Sequence, residues 1–487
     1  MMITMFSRES KVGIDSIIYI AGGFLSSSIS ALILIPILVA NLSTDEYGII
    51  SLVAVSASGV SIIMTLGTHG SITQNYHSQD PHFGENSVLI GTILSFIGTM
   101  AMVLLLILCL SSFIFELNPF GGKDISFFAL VVIGIATSEA LILTCSTIFK
   151  IQAKPIHFLS VGLARVILTL SFVFYLDMVE ALNDVSKILA DLSALLIIGS
   201  SLVWALRSEF LFGLNLETLR KSLIFGLPLI PHLLAVFLLN VGDRYIIELL
   251  LGTEEVGIYS LGYQLSLAIA IVSIGIDQAW TPYFYESVNN PNNEYPKLSY
   301  IFHFYSAWVS LFALLFIFSI GSIFNLLGIE GDYRDSIEII PIIVVGLILQ
   351  GIYFISSKPI LHERKTFLLS SITVSCAFSN ILLNIILIPY FGLTGAAIAT
   401  FLSYFIQVIL TMFFSQKFIN IPISLVKTFV PVVIVSLISL IILINLRTNS
   451  MMFIIAALTA TLLVYCVLSI REIRPVLNTT ILPPLDQ

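Results

Sequence analysis

Residues 42–52 read Leu-Ser-Thr-Asp-Glu-Tyr-Gly-Ile-Ile-Ser-Leu, and residues 251–261 read Leu-Gly-Thr-Glu-Glu-Val-Gly-Ile-Tyr-Ser-Leu, 209 residues further on. Seven of the eleven positions are identical: the two outer leucines, the Thr, the second acid, the Gly, the first Ile and the Ser. Each copy separates two long apolar runs and opens the second of them. A motif returning at equivalent places in two apolar stretches marks a duplicated membrane scaffold.

The apolar runs around the motif settle the solvent. No Lys, Arg, Asp or Glu occurs from Tyr47 to Gln79, from Thr428 to Leu446 or from Thr448 to Ile470. About twenty such residues, as a helix, cross a hydrocarbon core of roughly 30 Å. The chain is 57% hydrophobic and 10% charged, against about a quarter charged in soluble proteins. The spacing predicts fourteen spans, near 14–40, 47–68, 87–115, 125–149, 156–176, 185–206, 222–250, 256–281, 298–327, 337–356, 366–389, 394–414, 428–446 and 450–470. The first run extends past Pro36 and is followed by another span, so it reads as a membrane helix rather than a cleaved leader.

The expected fold is therefore an all-α integral membrane protein of about fourteen transmembrane helices. Two six-helix lobes, residues 1–206 and 215–414, are related by a parallel repeat, and residues 427–487 supply an extra helix pair and a tail. Six spans precede the second half, so both halves enter from the same side, as in rocker-switch transporters. Fifteen of the 21 Lys and Arg residues fall on the side of the termini and four on the other, with Arg165 and Arg244 inside spans. That asymmetry places both termini in the cytoplasm.

Several chemistries find no support. The net charge of −8 offers nothing to nucleic acid. Cys109, Cys145, Cys376 and Cys466 lie in apolar runs without zinc or redox spacing and read as small buried hydrophobes. His69, His77 and His82 are irregularly spaced in one polar break and suggest a solvated loop rather than a metal site. No nucleotide loop, nucleophile elbow or metal-hydrolase motif occurs. The expectation is a transporter, not an enzyme, with no cofactor or metal, driven by an ion gradient or by cargo concentration.

Longer motifs carry a resemblance. Gly226-Leu-Pro-Leu-Ile-Pro231, Gly242-Asp-Arg-Tyr245 and the second copy of the repeat resemble the seventh and eighth helices of Wzx-type O-antigen flippases. These form the polysaccharide-transporter branch of the multidrug/oligosaccharidyl-lipid/polysaccharide exporter superfamily. Ile388-Pro-Tyr-Phe-Gly-Leu-Thr-Gly-Ala-Ala-Ile-Ala-Thr400 is similar to that superfamily's signature between helices eleven and twelve. The resemblance implies a V-shaped, two-lobed flippase. Its cargo would be an undecaprenyl-diphosphate-linked oligosaccharide, an O-antigen or related repeat unit, moved from the cytoplasmic to the periplasmic leaflet of a bacterial inner membrane. Membrane lipids, a polysaccharide polymerase and a chain-length regulator are the partners it implies. The alternatives are an exporter of small amphiphiles or drugs on the same scaffold, and a polymerase or ligase of the pathway, which would need a large external loop.

The same motifs have physical roles. Pro228 and Pro231 interrupt the start of the seventh span. The acids before Gly48 and Gly257 suit the positive end of a helix dipole. Gly392 and Gly395 allow a tight turn, and Ala396, Ala397 and Ala399 allow close helix packing.

Ionisable groups inside spans are costly and mark either a cavity or a partner. At 100° per residue, Asn240, Asp243, Arg244 and Glu248 share one stripe of the seventh span. Arg244 can pair with Glu248 at i+4, or offer its fork of donors to a diphosphate or acidic sugar. Arg165 has no acid at i±3 or i±4; with Asn240 it completes the candidate cargo-binding set. Asp277 and Glu139, lone carboxyls in apolar spans, lead the ion-coupling candidates, with Asp243 and Glu248 behind them. Glu139 and Arg165 can equally neutralise each other. Lys150 and Lys358 belong to cytoplasmic basic groups that either attract a diphosphate headgroup or fix topology.

Overall fold

The computed structural model describes residues 30–76, 85–111, 125–289, 295–443 and 449–481. These residues are overwhelmingly helical, with no strand among them. The first half holds α1 (Ser30–Asn41), α2 (Thr44–Thr65), the short α3 (Thr68–Asn75), α4 (Asn86–Ser111), α5 (Ile125–Ile151), α6 (Pro155–Met178) and α7 (Asp184–Ala205). Next come α8 (Leu216–Gly226), α9 (Ile230–Val241), α10 (Asp243–Leu250), α11 (Thr253–Asn289), α12 (Tyr295–Leu326) and α13 (Ile340–His362). Last are α14 (Thr366–Phe418), α15 (Leu425–Leu443) and α16 (Asn449–Ile481).

Twelve helices among the described residues are long and apolar enough to cross a bilayer, and apolar α1 is shorter. One of the twelve is α14, at 53 residues. At 1.5 Å per residue such a helix would be roughly 80 Å long, more than twice a bilayer core. It does not run straight. Gly392 adopts φ 56° and ψ −138°, outside helical space, and a Cβ on Gly395 would lie 2.5 Å from the Leu387 carbonyl oxygen. The chain folds back there, so α14 comprises the eleventh and twelfth spans. The architecture of about fourteen crossings expected from the sequence holds. Exposed Met102, Leu106 and Leu110 follow one another along α4 at i+4 spacing, an apolar stripe that suits lipid rather than water.

The described chain forms two compact units, Met1–Phe237 with Leu251–Gly257, and Leu238–Leu250 with Ile258–Gln487. In the first, α5 packs on both α2 and α7. The repeat motif closes on itself here. A Cβ on Gly48 would sit 2.0 Å from the Thr253 carbonyl oxygen, and one on Gly257 would sit 1.9 Å from that of Thr44. Residues 44 and 253 are repeat mates, as are 48 and 257, so the two contacts are reciprocal. Ser43 caps α2 through a box with Glu46. The second copy has Gly252 at that position, at φ +104°, and no capping serine. In the second unit, α13 is buried nearly all round and packs on α14 and α12.

Two expectations need correction. The seventh span is not one helix from 222 to 250. It begins at Leu216, capped by the Asn215 side chain accepting from the Glu217 and Thr218 amides. It then tightens into a 3-10 turn over Leu227–Leu229 at Pro228 and breaks at Gly242 before α10. The second concerns Cys109, which is exposed on α4, whereas Cys145, Cys376 and Cys466 are buried.

Candidate functional site

Each unit holds its own charged constellation. In the second unit the break at Gly242 resets the register, so Asp243 and Arg244 open α10 instead of continuing the stripe of Asn240. Both are almost completely buried, at 1% and 6% exposure. Asp243 Oδ1 accepts from the Arg244 amide at 3.0 Å and from Arg244 Nη1 at 3.2 Å. Its Oδ2 accepts from the Tyr259 hydroxyl at 2.6 Å and from Thr400 Oγ1 at 3.4 Å. Arg244 Nε donates to Ser260 Oγ at 3.3 Å, and its guanidinium lies 4.7 Å from the centre of the Tyr263 ring. The expected i+4 pair with Glu248 gives way to the adjacent carboxylate.

Asn240 belongs to a neighbouring layer of the same network. Its Oδ1 accepts from the Tyr404 hydroxyl at 2.8 Å and from Gln350 Nε2 at 3.0 Å. A buried ion pair repays its desolvation only when further hydrogen bonds satisfy both ions, and the hydroxyls of Tyr259 and Ser260 on α11 and of Thr400 on α14 supply them. Tyr259 is where the repeat copies diverge: its mate is Ile50. The sequence signal for this network is a tyrosine standing where the first copy has an aliphatic residue, one of four positions at which the two copies differ.

The second unit also pairs Asp277. Lys358 Nζ lies 3.0 Å from its carboxylate, so Asp277 is not isolated. The reason is a boundary: α13 continues through Lys358 to His362, whereas the tenth span was expected to end at 356 with Lys358 in a loop.

In the first unit, Arg165 Nη2 meets Glu139 Oε1 at 3.2 Å, with side chains 33% and 23% exposed. This is the mutual neutralisation that their neighbouring helices allowed. The pair borders a cavity of about 350 Å³ that also takes in Ser61, Ser146, Lys150 and Phe158. On α5, Glu139, Ser146 and Lys150 stand at i, i+7 and i+11, one face of a helix. On α6, Phe158 and Arg165 are one heptad apart. Lys150 Nζ sits 4.6 Å from the centre of the Phe158 ring. Two cations and one carboxylate leave the cavity with a net positive charge. Lys150, one of the cytoplasmic basic groups of the sequence, stands in the last turn of α5, and its i+11 spacing from Glu139 is the signal that joins it to Arg165.

A further acid of the first unit, Asp191, pairs with Lys187 at i,i+4. The remaining expectations fall elsewhere. His69 lies on α3, outside the spans; it is partly buried, and that burial lowers its pKa below the ordinary imidazole value. His77 and His82 lie outside the described residues. No group of three metal-binding side chains occurs among the described residues.

A duplicated bundle of membrane-crossing helices that holds charged pairs in its interior is the build of a multi-pass transporter. The chain is similar in fold to the "Lipid II flippase MurJ, inward closed conformation", with a TM-score of 0.66 at 15% identity over 95% of this chain and 100% of that one. It is also similar to a MOP superfamily transporter from Pyrococcus furiosus, with a TM-score of 0.57 at 15% identity over 82% of this chain and 94% of that one. "Lsg locus putative protein 1" of Haemophilus influenzae is 24% identical over 291 residues, covering 57% of this chain and 67% of the relative. Residues 14–288 match the family described as "Polysaccharide biosynthesis protein", and the chain belongs to that family. The family and fold that the motifs suggested are thus borne out.

Proposed function

We propose that this protein flips an undecaprenyl-diphosphate-linked oligosaccharide, an O-antigen or related surface-polysaccharide repeat unit, across a bacterial inner membrane. Movement runs from the cytoplasmic to the periplasmic leaflet by alternating access, with both chain termini in the cytoplasm. The observation that carries this reading is the cationic cavity of the first unit, in a chain of a polysaccharide-biosynthesis family. Arg165 supplies a fork of donors suited to a diphosphate or acidic sugar, Glu139 orients that fork, and Lys150 adds a point charge. Asn240 and Arg244 form the complementary polar layer of the second unit. A polymerase and a chain-length regulator would take up the product.

The test is surface-glycan analysis in a strain lacking the gene, complemented with variants. The deletion strain should accumulate lipid-linked repeat units. Arg165→Ala should lower surface glycan several-fold at unchanged protein level, and Arg165→Lys should restore part of it, since the charge survives without the bidentate geometry. Normal glycan with both Arg165→Ala and Lys150→Ala would remove the cavity from cargo binding. Accumulation of small amphiphiles in place of lipid-linked glycan would favour the exporter reading.

Coupling follows from the pairings. Asp277 and Glu139 each face a cation. An ion that couples transport would exchange with that partner as the pair parts between the two access states. Asp277→Asn in vesicles with an imposed pH gradient should abolish the gradient's effect on flipping while leaving cargo-driven exchange. An unchanged gradient response would take Asp277 out of the coupling step.

A further inference from the structure

A second cavity of the first unit, about 460 Å³, lies between α5 and α7 and shares no lining residue with the Arg165 cavity. Along α7 it follows Leu196, Gly199, Ser200 and Val203. Spacings of three, four and seven residues keep these on one face for roughly 10 Å. Small residues face each other on its floor: a Cβ on Gly199 would lie 3.7 Å from the Ser138 carbonyl oxygen. Its wall hydroxyls are already spent. Thr137, Ser138 and Ser200 each donate to a carbonyl one turn back on their own helix, so the surface offered to an occupant is apolar.

One end is different. Arg207, just past the end of α7, lies 4.2 Å from the centre of the Trp204 ring and donates to the Trp204 carbonyl oxygen at 3.3 Å. It makes no ion pair among the described residues. Arg207, Trp204 and Phe212 are all exposed there. The backbone next to Phe212 is fixed to α4: the Leu211 amide donates to the Ser87 carbonyl at 3.0 Å, and Gly91 packs against the Leu211 backbone. A Trp–Arg couple at the end of a span is a membrane-interface arrangement. An apolar slot capped by an uncompensated cation matches one kind of molecule, an amphiphile with a hydrocarbon chain and an anionic head.

We infer that this groove is a binding site for an anionic phospholipid, with one acyl chain along Leu196–Val203 and the phosphate against Arg207. The site is separate from cargo handling, and its failure would leave the flippase reading intact. The test uses the full chain in nanodiscs with phosphatidylglycerol carrying a photoactivatable group on its acyl chain, followed by peptide mass spectrometry. Crosslinks should concentrate on Leu141 and Leu196–Val203 over the exposed α4 stripe of Met102, Leu106 and Leu110. Unlabelled phosphatidylglycerol should compete roughly five-fold better than phosphatidylcholine of the same chains, the worth of one interfacial cation. Arg207→Gln, an exposed change, should erase that preference. Ser200→Phe should fill the groove and lower its labelling with either lipid while leaving α4 labelled. Equal labelling of groove and α4, or a preference that survives Arg207→Gln, would overturn the site. Better competition by a polyprenyl diphosphate than by phosphatidylglycerol would reassign it to the cargo.

Discussion

Asp243 and Arg244 are chain neighbours, yet each is held by residues far away in sequence: Tyr259, Ser260 and Thr400. Almost no solvent reaches either, so removing one partner strands the other. Asp243→Ala should cost about 3–5 kcal/mol, the usual penalty for an orphaned buried ion. It would show as a marked fall in the melting temperature of detergent-solubilised protein. Adding Arg244→Leu should recover much of that loss. An Asp243→Ala variant that melts like the parent would mean that the pair is not the keystone of its layer. The Glu139–Arg165 pair was legible in the sequence because its helices are consecutive and few residues could serve. The Asp243 layer was only half legible. Its charges stood out, but the hydroxyls that satisfy them come from α11 and α14, and no local spacing announces a tertiary partner.

At the level of the helix, the repeat glycines are places where backbones touch. A methyl on Gly48 or Gly257 would press on a carbonyl oxygen at 2.0 or 1.9 Å, and a main chain yields less readily than a side-chain tip. Gly48→Ala and Gly257→Ala should each destabilise by about 1–3 kcal/mol. Because they disturb one shared contact, the double variant should lose less than the two losses added together. Full additivity in thermal melts would show that the two glycines act separately. The sequence marked these positions through their recurrence, and it marked the Pro228 interruption. It missed the break at Gly242, because an apolar run on both sides hides a kink from hydropathy. It also ended the tenth span before Lys358, because a lysine looks like a boundary even when a helix carries it inward to an acid.

For the molecule as a whole, the spread of basic residues fixes an expected orientation. Single cysteines introduced near Lys154, Lys221 and Lys365 should react only with reagents on the cytoplasmic side. A cysteine at Arg334, in the 3-10 segment Gly331–Glu338, should react only from the periplasm. Cytoplasmic labelling at 334 would undo the fourteen-span topology. Hydropathy made the class and approximate number of crossings readable across the whole chain. It could not show how the chain is shared between units.

That sharing bears on biosynthesis. Residues 251–257 belong to the first unit although thirteen residues of the second precede them. Gly48 therefore waits for a partner made 209 residues later, a delay of roughly 10–40 s at ordinary rates of protein synthesis. Throughout that interval the Gly48 contact is unmade. Two separately translated halves cut at residue 250 should therefore each leave the first unit incomplete, because Thr253 and Gly257 would be made on the other half.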